Sequence, residues 1–187
     1  MGVNPKMKAV FLDRDGVLNK AVIINGKPYP PENINELVIA EGVKDGLVRL
    51  KGAGFLLIVI TNQPDVARKT TAIEIVSEIN DFLKKELLLD DVLCCFHDST
   101  DNCNCRKPQP GMIFSAREKW NIDLSQSFLI GDRWRDIETG KKAGIRTILI
   151  DYKYEEKYVK PDFSCLNFTE ASNIVLSHIT KEKHEKY

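Results

Sequence analysis

The chain has 187 residues, 43% hydrophobic and 29% charged, with 27 basic residues balanced by 27 acidic ones. That is enough for one domain with a full core, too little for two comfortable ones, and too apolar for a disordered chain. A net charge of zero argues against nucleic acid as a partner, and the strongest apolar run, Phe55 to Ile60, is far short of the about 18 residues that suggest a membrane span.

The first residues, Met1-Gly2-Val3-Asn4-Pro5-Lys6, lack the apolar core of a signal peptide and the hydroxyl residue of a myristoylation site, so a cytoplasmic location is expected. Ala9–Leu12 then reads as a buried strand. Lys20 to Asn35 holds Gly26, Pro28, Pro30 and Pro31 and is expected to be an irregular loop. Gly42 to Lys51 places Val43, Leu47 and Leu50 on one helical face. Phe55–Ile60 reads as a second strand, and Thr71 to Leu89 as a helix presenting Ile75, Ile79, Phe82 and Leu83. Val92–Cys95 is a third strand, followed by a polar loop from His97 to Pro110. Helices at Met112–Trp120 and Ile137–Ala143 alternate with strands at Ser127–Ile130 and Thr147–Ile150. A last helix is expected from Thr169 to about Ile179, then a frayed polar tail from Lys181 to Tyr187. Strands nearly continuous in apolar residues, alternating with helices, predict an α/β sandwich around a central parallel sheet. No large apolar surface is evident, so a monomer is expected.

Phe11-Leu12-Asp13-Arg14-Asp15-Gly16 delivers two carboxylates from the end of a buried strand into a glycine turn. Burying unpaired carboxylates is costly, so they must emerge where a cation or a reacting group can meet them. An Asp-rich turn with only local hydrogen bonds is an equal reading of this motif alone. The remaining strands favour chemistry. The second ends in Thr61-Asn62-Gln63, the loop before the third helix carries Arg106-Lys107, and the fourth strand runs into Gly131-Asp132-Arg133-Trp134-Arg135-Asp136. Carboxylates, a hydroxyl and a lysine at one sheet edge are the needs of Mg²⁺-assisted phosphoryl transfer.

In this order Asp13-x-Asp15, Thr61, Lys107 and Gly131-Asp132-x-x-x-Asp136 resemble the four motifs of the haloacid dehalogenase superfamily, subfamily IIIA, from Lys8 to about Asp151. The resemblance implies a single Rossmann-like three-layer α/β/α domain, with a core of about residues 8–180 and a minimal cap or none. Only 48 positions separate Asp13 from Thr61, too few for a large cap. It further implies that Asp13 is the nucleophile and Asp15 the general acid–base. Mg²⁺ would be held by Asp13, the carbonyl of Asp15 and Asp132, and the phosphate by Thr61, Asn62 and Lys107. Asp136 would orient either the metal's waters or Lys107, or serve only as a first-turn helix acid.

Four of the five cysteines fall between Cys94 and Cys105. Cys95-x-His97 and Cys103-x-Cys105 offer three thiols and an imidazole, a donor set for a closed tetrahedral Zn²⁺ site in the loop 95–105. A disulfide or a chance cluster is the alternative. A zinc-bound Cys105 would fix where the adjacent Lys107 points, so the expected role of the metal is structural. Cys94 and Cys165 read as small packing groups.

The zinc loop is similar to that of the D-glycero-D-manno-heptose 1,7-bisphosphate phosphatases and of the histidinol-phosphate phosphatases. Pro110-Gly111-Met112 and Asn62-Gln63…Ala67-Arg68 resemble the heptose enzymes, whereas Pro64-Asp65 and Arg133 depart from them. The expected substrate is a small phosphorylated sugar, the heptose bisphosphate ahead of histidinol phosphate, with Arg106, Arg133 and Arg68 as cations for a second phosphate. A DNA-end phosphatase and a non-catalytic zinc module are further readings, the latter opposed by the presence of both Asp13 and Asp15.

Overall fold

A computed structural model describes residues 5–25 and 27–184. The first four residues, on which the targeting expectation partly rests, and the last three of the expected tail lie outside the described residues. In chain order, β1 (Lys8–Leu12) leads through a hairpin, β2 (Val22–Ile24) and β3 (Lys27–Tyr29), to helix α1 (Val43–Gly52). There follow β4 (Phe55–Asn62), α2 (Ile73–Glu86), β5 (Asp91–Cys95), α3 (Gly111–Trp120) and β6 (Phe128–Gly131). The chain continues through α4 (Trp134–Ala143), β7 (Arg146–Ile150), β8 (Phe163–Cys165) and α5 (Phe168–His184).

Six parallel strands form one sheet in the order β5-β4-β1-β6-β7-β8. Side chains alternate across it, as the two-residue strand period requires. Val10 and Leu12 join Phe55, Leu57 and Val59 in a core covered by α1, α2 and α5. Ala9 and Phe11 join Leu56, Ile58 and Ile60 on the opposite face, against Met112, Ile113 and Ala116 of α3 and Ala143 of α4. The three-layer sandwich is therefore observed. β1 lies between β4, its successor in the sheet, and β6, where the chain begins to build outward in the other direction. In open α/β sheets a ligand crevice opens at such a switch point, beyond the strands' carboxyl ends.

Four details differ from the sequence reading. The loop 20–35 contains the β2–β3 hairpin, with Ile23 facing Pro28. Asn25 enters the turn at a φ of 51°, a left-handed conformation that asparagine tolerates better than most residues. Pro28 is tolerated because a two-stranded ribbon has only edge strands. On α2 the buried face is Val76, Ile79, Asn80 and Leu83, while Phe82 is 40% exposed. A sixth strand, β8, was missed because three residues, Phe-Ser-Cys, are too few to show a pattern. Helix α5 continues through residues expected to fray; Lys and Glu are good helix formers, so polarity alone does not end it.

Candidate active site

The strand ends bring the motif residues together. Leu12 is in register with Val59 of β4 and Ile130 of β6, and the Asp13 N–H donates to the Ile130 carbonyl at 3.0 Å. Asp13, Thr61 and Asp132 therefore leave the sheet at one edge. The chain then turns sharply, with the N–H groups of Leu18 and Asn19 donating to the Arg14 carbonyl at 2.8 and 3.1 Å. Gly16, at φ 86°, makes this turn, and a Cβ there would lie 2.1 Å from Asp132 Oδ2. Only glycine allows the turn and the carboxylate to approach so closely.

Lys107 is 3% exposed, with Nζ 2.8 Å from Asp13 Oδ1 and 2.6 Å from Asp136 Oδ1. Burial alone would depress its pKa, but the two carboxylates outweigh that and hold it above the usual lysine range. Asp136 also accepts from the Arg133 N–H at 3.1 Å, capping the first turn of α4. It is thus both the helix acid and the partner of Lys107. Asp132 is 3% exposed, and neither of its carboxylate oxygens has a hydrogen-bond partner. Oxygens of Asp13, Asp132 and Asp136 lie within 4.8 Å of one another. Three buried carboxylates against one ammonium leave two negative charges uncompensated. Burial, then Asp136, push Asp13 up to about 7 against the opposing pull of Lys107. Asp132 is likewise raised, by burial first and then by Asp13 and Asp136. Hard oxygens, an orphaned carboxylate and a charge deficit of two fit a divalent cation such as Mg²⁺.

Asp15 faces the same cleft and is held by three side chains. The buried Arg14 donates from Nε at 3.2 Å and Nη2 at 3.0 Å, Gln63 from Nε2 at 2.8 Å, and Asn19 from Nδ2 at 3.0 Å. Arg14 is itself anchored by Asn80 Oδ1, 2.9 Å from Nη1. Gln63 also donates to Thr61 Oγ1 at 2.9 Å. Asn62 uses both ends of its amide on the backbone of Lys107, donating to its carbonyl and accepting from its N–H, each at 3.0 Å. Asn62 therefore positions the lysine. Asp13, Asp15, Thr61, Gln63, Lys107 and Asp132 line a cleft of about 290 Å³ whose outer wall carries Tyr29, Asp65, Arg68, Arg106, Arg133 and Arg135.

The expected cations differ in how free they are. Arg106 donates to the His97 carbonyl at 2.9 Å. Arg133 is paired with Glu156, Nε to Oε2 at 2.7 Å. The exposed Arg68 is paired with Asp98 and Asp65. Beside them the zinc-type residues converge. Cys105 Sγ is 3.1 Å from Cys95 Sγ, 3.4 Å from Cys103 Sγ and 3.3 Å from His97 Nδ1, and Cys95 is 3.6 Å from His97 Nδ1 and 3.7 Å from Cys103. All three cysteines are free thiols. A tetrahedron of sulfurs about 2.3 Å from Zn²⁺ has edges of about 3.8 Å, so this cluster is nearly the right size. Cys165 is buried and Cys94 half-buried, both apart from the cluster.

A family model described as HAD-hydrolase-like matches residues 104–171, the stretch that carries Lys107, Asp132 and Asp136. The D-glycero-alpha-D-manno-heptose-1,7-bisphosphate 7-phosphatase of Photorhabdus laumondii subsp. laumondii is 36% identical over 152 residues, which span 75% of this chain and 80% of that protein. The chain belongs to the haloacid dehalogenase family of phosphatases. A second member, the D-glycero-beta-D-manno-heptose-1,7-bisphosphate 7-phosphatase of Helicobacter pylori, is 30% identical over 174 residues, 90% of this chain and 97% of that one. Among solved haloacid dehalogenase structures, the D,D-heptose 1,7-bisphosphate phosphatase of B. bronchiseptica, complexed with magnesium and phosphate, superposes with a TM-score of 0.79. The two are 25% identical over 92% of this chain and 99% of that chain.

The sequence reading of this haloacid dehalogenase member missed the supports of Asp15. Asn80 did carry a signal, since it is a polar residue on the apolar face of α2. Gln63 follows Thr61 by two residues, so it shares that strand's face. Arg135 and Glu156 carried no signal beyond their charge.

Proposed function

We propose that the protein is a Mg²⁺-dependent phosphatase of D-glycero-D-manno-heptose 1,7-bisphosphate that removes the 7-phosphate through an aspartyl-phosphate. The observation that carries this is the ammonium of Lys107 between Asp13 and Asp136, beside an Asp132 with two undonated oxygens. Asp13, the carbonyl of Asp15 and Asp132 hold the Mg²⁺, which when bound neutralises charge on the transferring group. The Asp13 carboxylate attacks phosphorus and the bond to the sugar oxygen breaks. Asp15 gives its proton to that oxygen, then takes one from the water that attacks the aspartyl-phosphate, releasing phosphate and Asp13. Thr61 and Lys107 bind the phosphoryl oxygens, with Asn62 fixing the lysine's backbone. Arg106 and Arg133 flank the rest of the substrate.

Zn²⁺ on Cys95, His97, Cys103 and Cys105 clamps the loop that ends in Arg106-Lys107 and takes no chemical part. The names of the relatives support the heptose substrate and the place in heptose biosynthesis. A cytoplasmic monomer is proposed; among the described residues no helix is long and apolar enough to cross a membrane. The test is a rate comparison with Mg²⁺, offering both anomers of the heptose 1,7-bisphosphate, histidinol phosphate and a 5′-phosphorylated oligonucleotide. Preference for a heptose bisphosphate is the expected result, and preference for either of the others would overturn the substrate assignment.

A further inference from the structure

The charges on the cleft wall are unevenly paired. Asp15 is matched by Arg14, Arg133 by Glu156, and Arg68 by Asp98 and Asp65. Lys107 is shared between Asp13 and Asp136. Two cleft-lining arginines, Arg106 and Arg135, have no carboxylate partner among the described residues. Arg135 is half-buried on the first turn of α4, and its guanidinium lies over the Trp134 indole, 4.6 Å from the ring centre. Lys157 Nζ approaches the same ring at 4.6 Å. Stacking on an indole fixes a long side chain that would otherwise lose rotamer entropy on binding. Burial, and then the charges of Arg133 and Arg106, push the Arg135 guanidinium below the usual arginine range. A guanidinium whose repulsion from two neighbouring arginines outweighs the pull of Glu156 and Asp136, and which forms no ion pair of its own, is poised for an anion, and arginine can meet phosphate oxygens in a bidentate fork.

We infer that Arg135, fixed on Trp134 and acting with Arg106, binds the second, non-reacting phosphate of the substrate and so sets the preference for a bisphosphate over a monophosphate. This rests on the sugar-bisphosphate reading above. It keeps Arg106 from the sequence expectation of Arg106, Arg133 and Arg68 but puts Arg135 in place of the other two, because Glu156, Asp98 and Asp65 already answer their charges.

The experiment compares wild type, Arg135→Gln, Arg135→Lys and Trp134→Leu on heptose 1,7-bisphosphate and on the corresponding 7-phosphate. Losing a charge-assisted contact to one phosphate should lower kcat/KM for the bisphosphate by about 10- to 100-fold in Arg135→Gln, chiefly through KM. The monophosphate should change by less than about two-fold, because that contact is absent there. Arg135→Lys should recover part of the loss, and Trp134→Leu should show a smaller loss confined to the bisphosphate. Equal losses on both substrates in Arg135→Gln would mean a structural role and overturn the inference. A wild type that prefers the bisphosphate, with an Arg135→Gln variant that prefers it as strongly, would sink Arg135 alone. A wild type with no preference would remove the bisphosphate reading and this inference together.

Discussion

Replacing Asp132 with Asn should stabilise the metal-free protein while abolishing its response to Mg²⁺. In the folded chain Asp132 is 3% exposed, with no donor to either oxygen and with oxygens of Asp13 and Asp136 at or inside 4.8 Å. At an effective dielectric constant of about 20, two unit charges at that separation repel by about 3.5 kcal/mol. Two such pairs act on Asp132, and the attraction of Lys107 offsets part of the sum. Asn removes the charge but leaves a buried amide short of acceptors, at a cost of about 1–3 kcal/mol. The net expectation is a gain of about 1–3 kcal/mol. For a chain of this size that is a rise in Tm of about 2–12 °C. Thermal melts in EDTA and in Mg²⁺ measure both effects. Wild type should be stabilised by Mg²⁺ through preferential binding to the folded state, and Asp132→Asn should not. A lower melting temperature for the variant in EDTA, or an undiminished Mg²⁺ response, would refute the charge argument.

The metal-free protein should also lose stability as pH rises from about 4 to 7. The unfolded Asp13 carboxyl gives up its proton near 3.8, whereas the folded one, raised by burial and then by Asp136, keeps it to about 7. The folded state therefore binds more protons across this window, and stability falls with pH by up to about 4 kcal/mol; denaturant melts in EDTA that are flat from pH 4 to 7 would contradict it. Asn80→Leu removes the anchor of Arg14 and should slow an alkyl phosphate about 10-fold, a fraction of what general acid catalysis supplies. In the first step, read as the pre-steady-state burst, p-nitrophenyl phosphate, whose leaving group departs without a proton, should be nearly unaffected, and equal slowing of both bursts would indicate general damage instead. Chelation of Zn²⁺, or Cys105→Ser, should lower activity and free the loop 95–105 to exchange its amides faster, since the loop has little apolar content to order it; unchanged exchange would remove the clamp.

Much of the candidate site was legible because three of its residues, Asp13, Thr61 and Asp132, stand at the carboxyl ends of buried strands. Asp13, Thr61 and Asp132 are carried to one edge by the register of three neighbouring strands, and a strand's apolar run shows in sequence. Lys107 was placed by its motif alone, and only the structure shows the Asn62 amide that holds its backbone. The support of Asp15 was hidden for a different reason. Arg14 and Asn80 meet across 66 residues, and nothing local says that a polar group on the α2 face has a partner. The partners of two of the cations were hidden for the same cause. Arg133 and Arg68 look available in sequence, but the carboxylates that occupy them, Glu156 and Asp98, come from distant loops. The β2–β3 hairpin was concealed by three prolines, which outweighed the Asn25-Gly26 turn signal.

The central claim is that Asp13 is the group that accepts the phosphoryl. Single-turnover reaction with heptose 1,7-bisphosphate and Mg²⁺, quenched in acid and reduced with borohydride, tests it directly. An aspartyl-phosphate is reduced to homoserine, so peptide mass spectrometry should find homoserine at position 13 and at no other Asp. Homoserine at Asp15 or Asp132, or intact Asp13 during rapid turnover, would contradict the account.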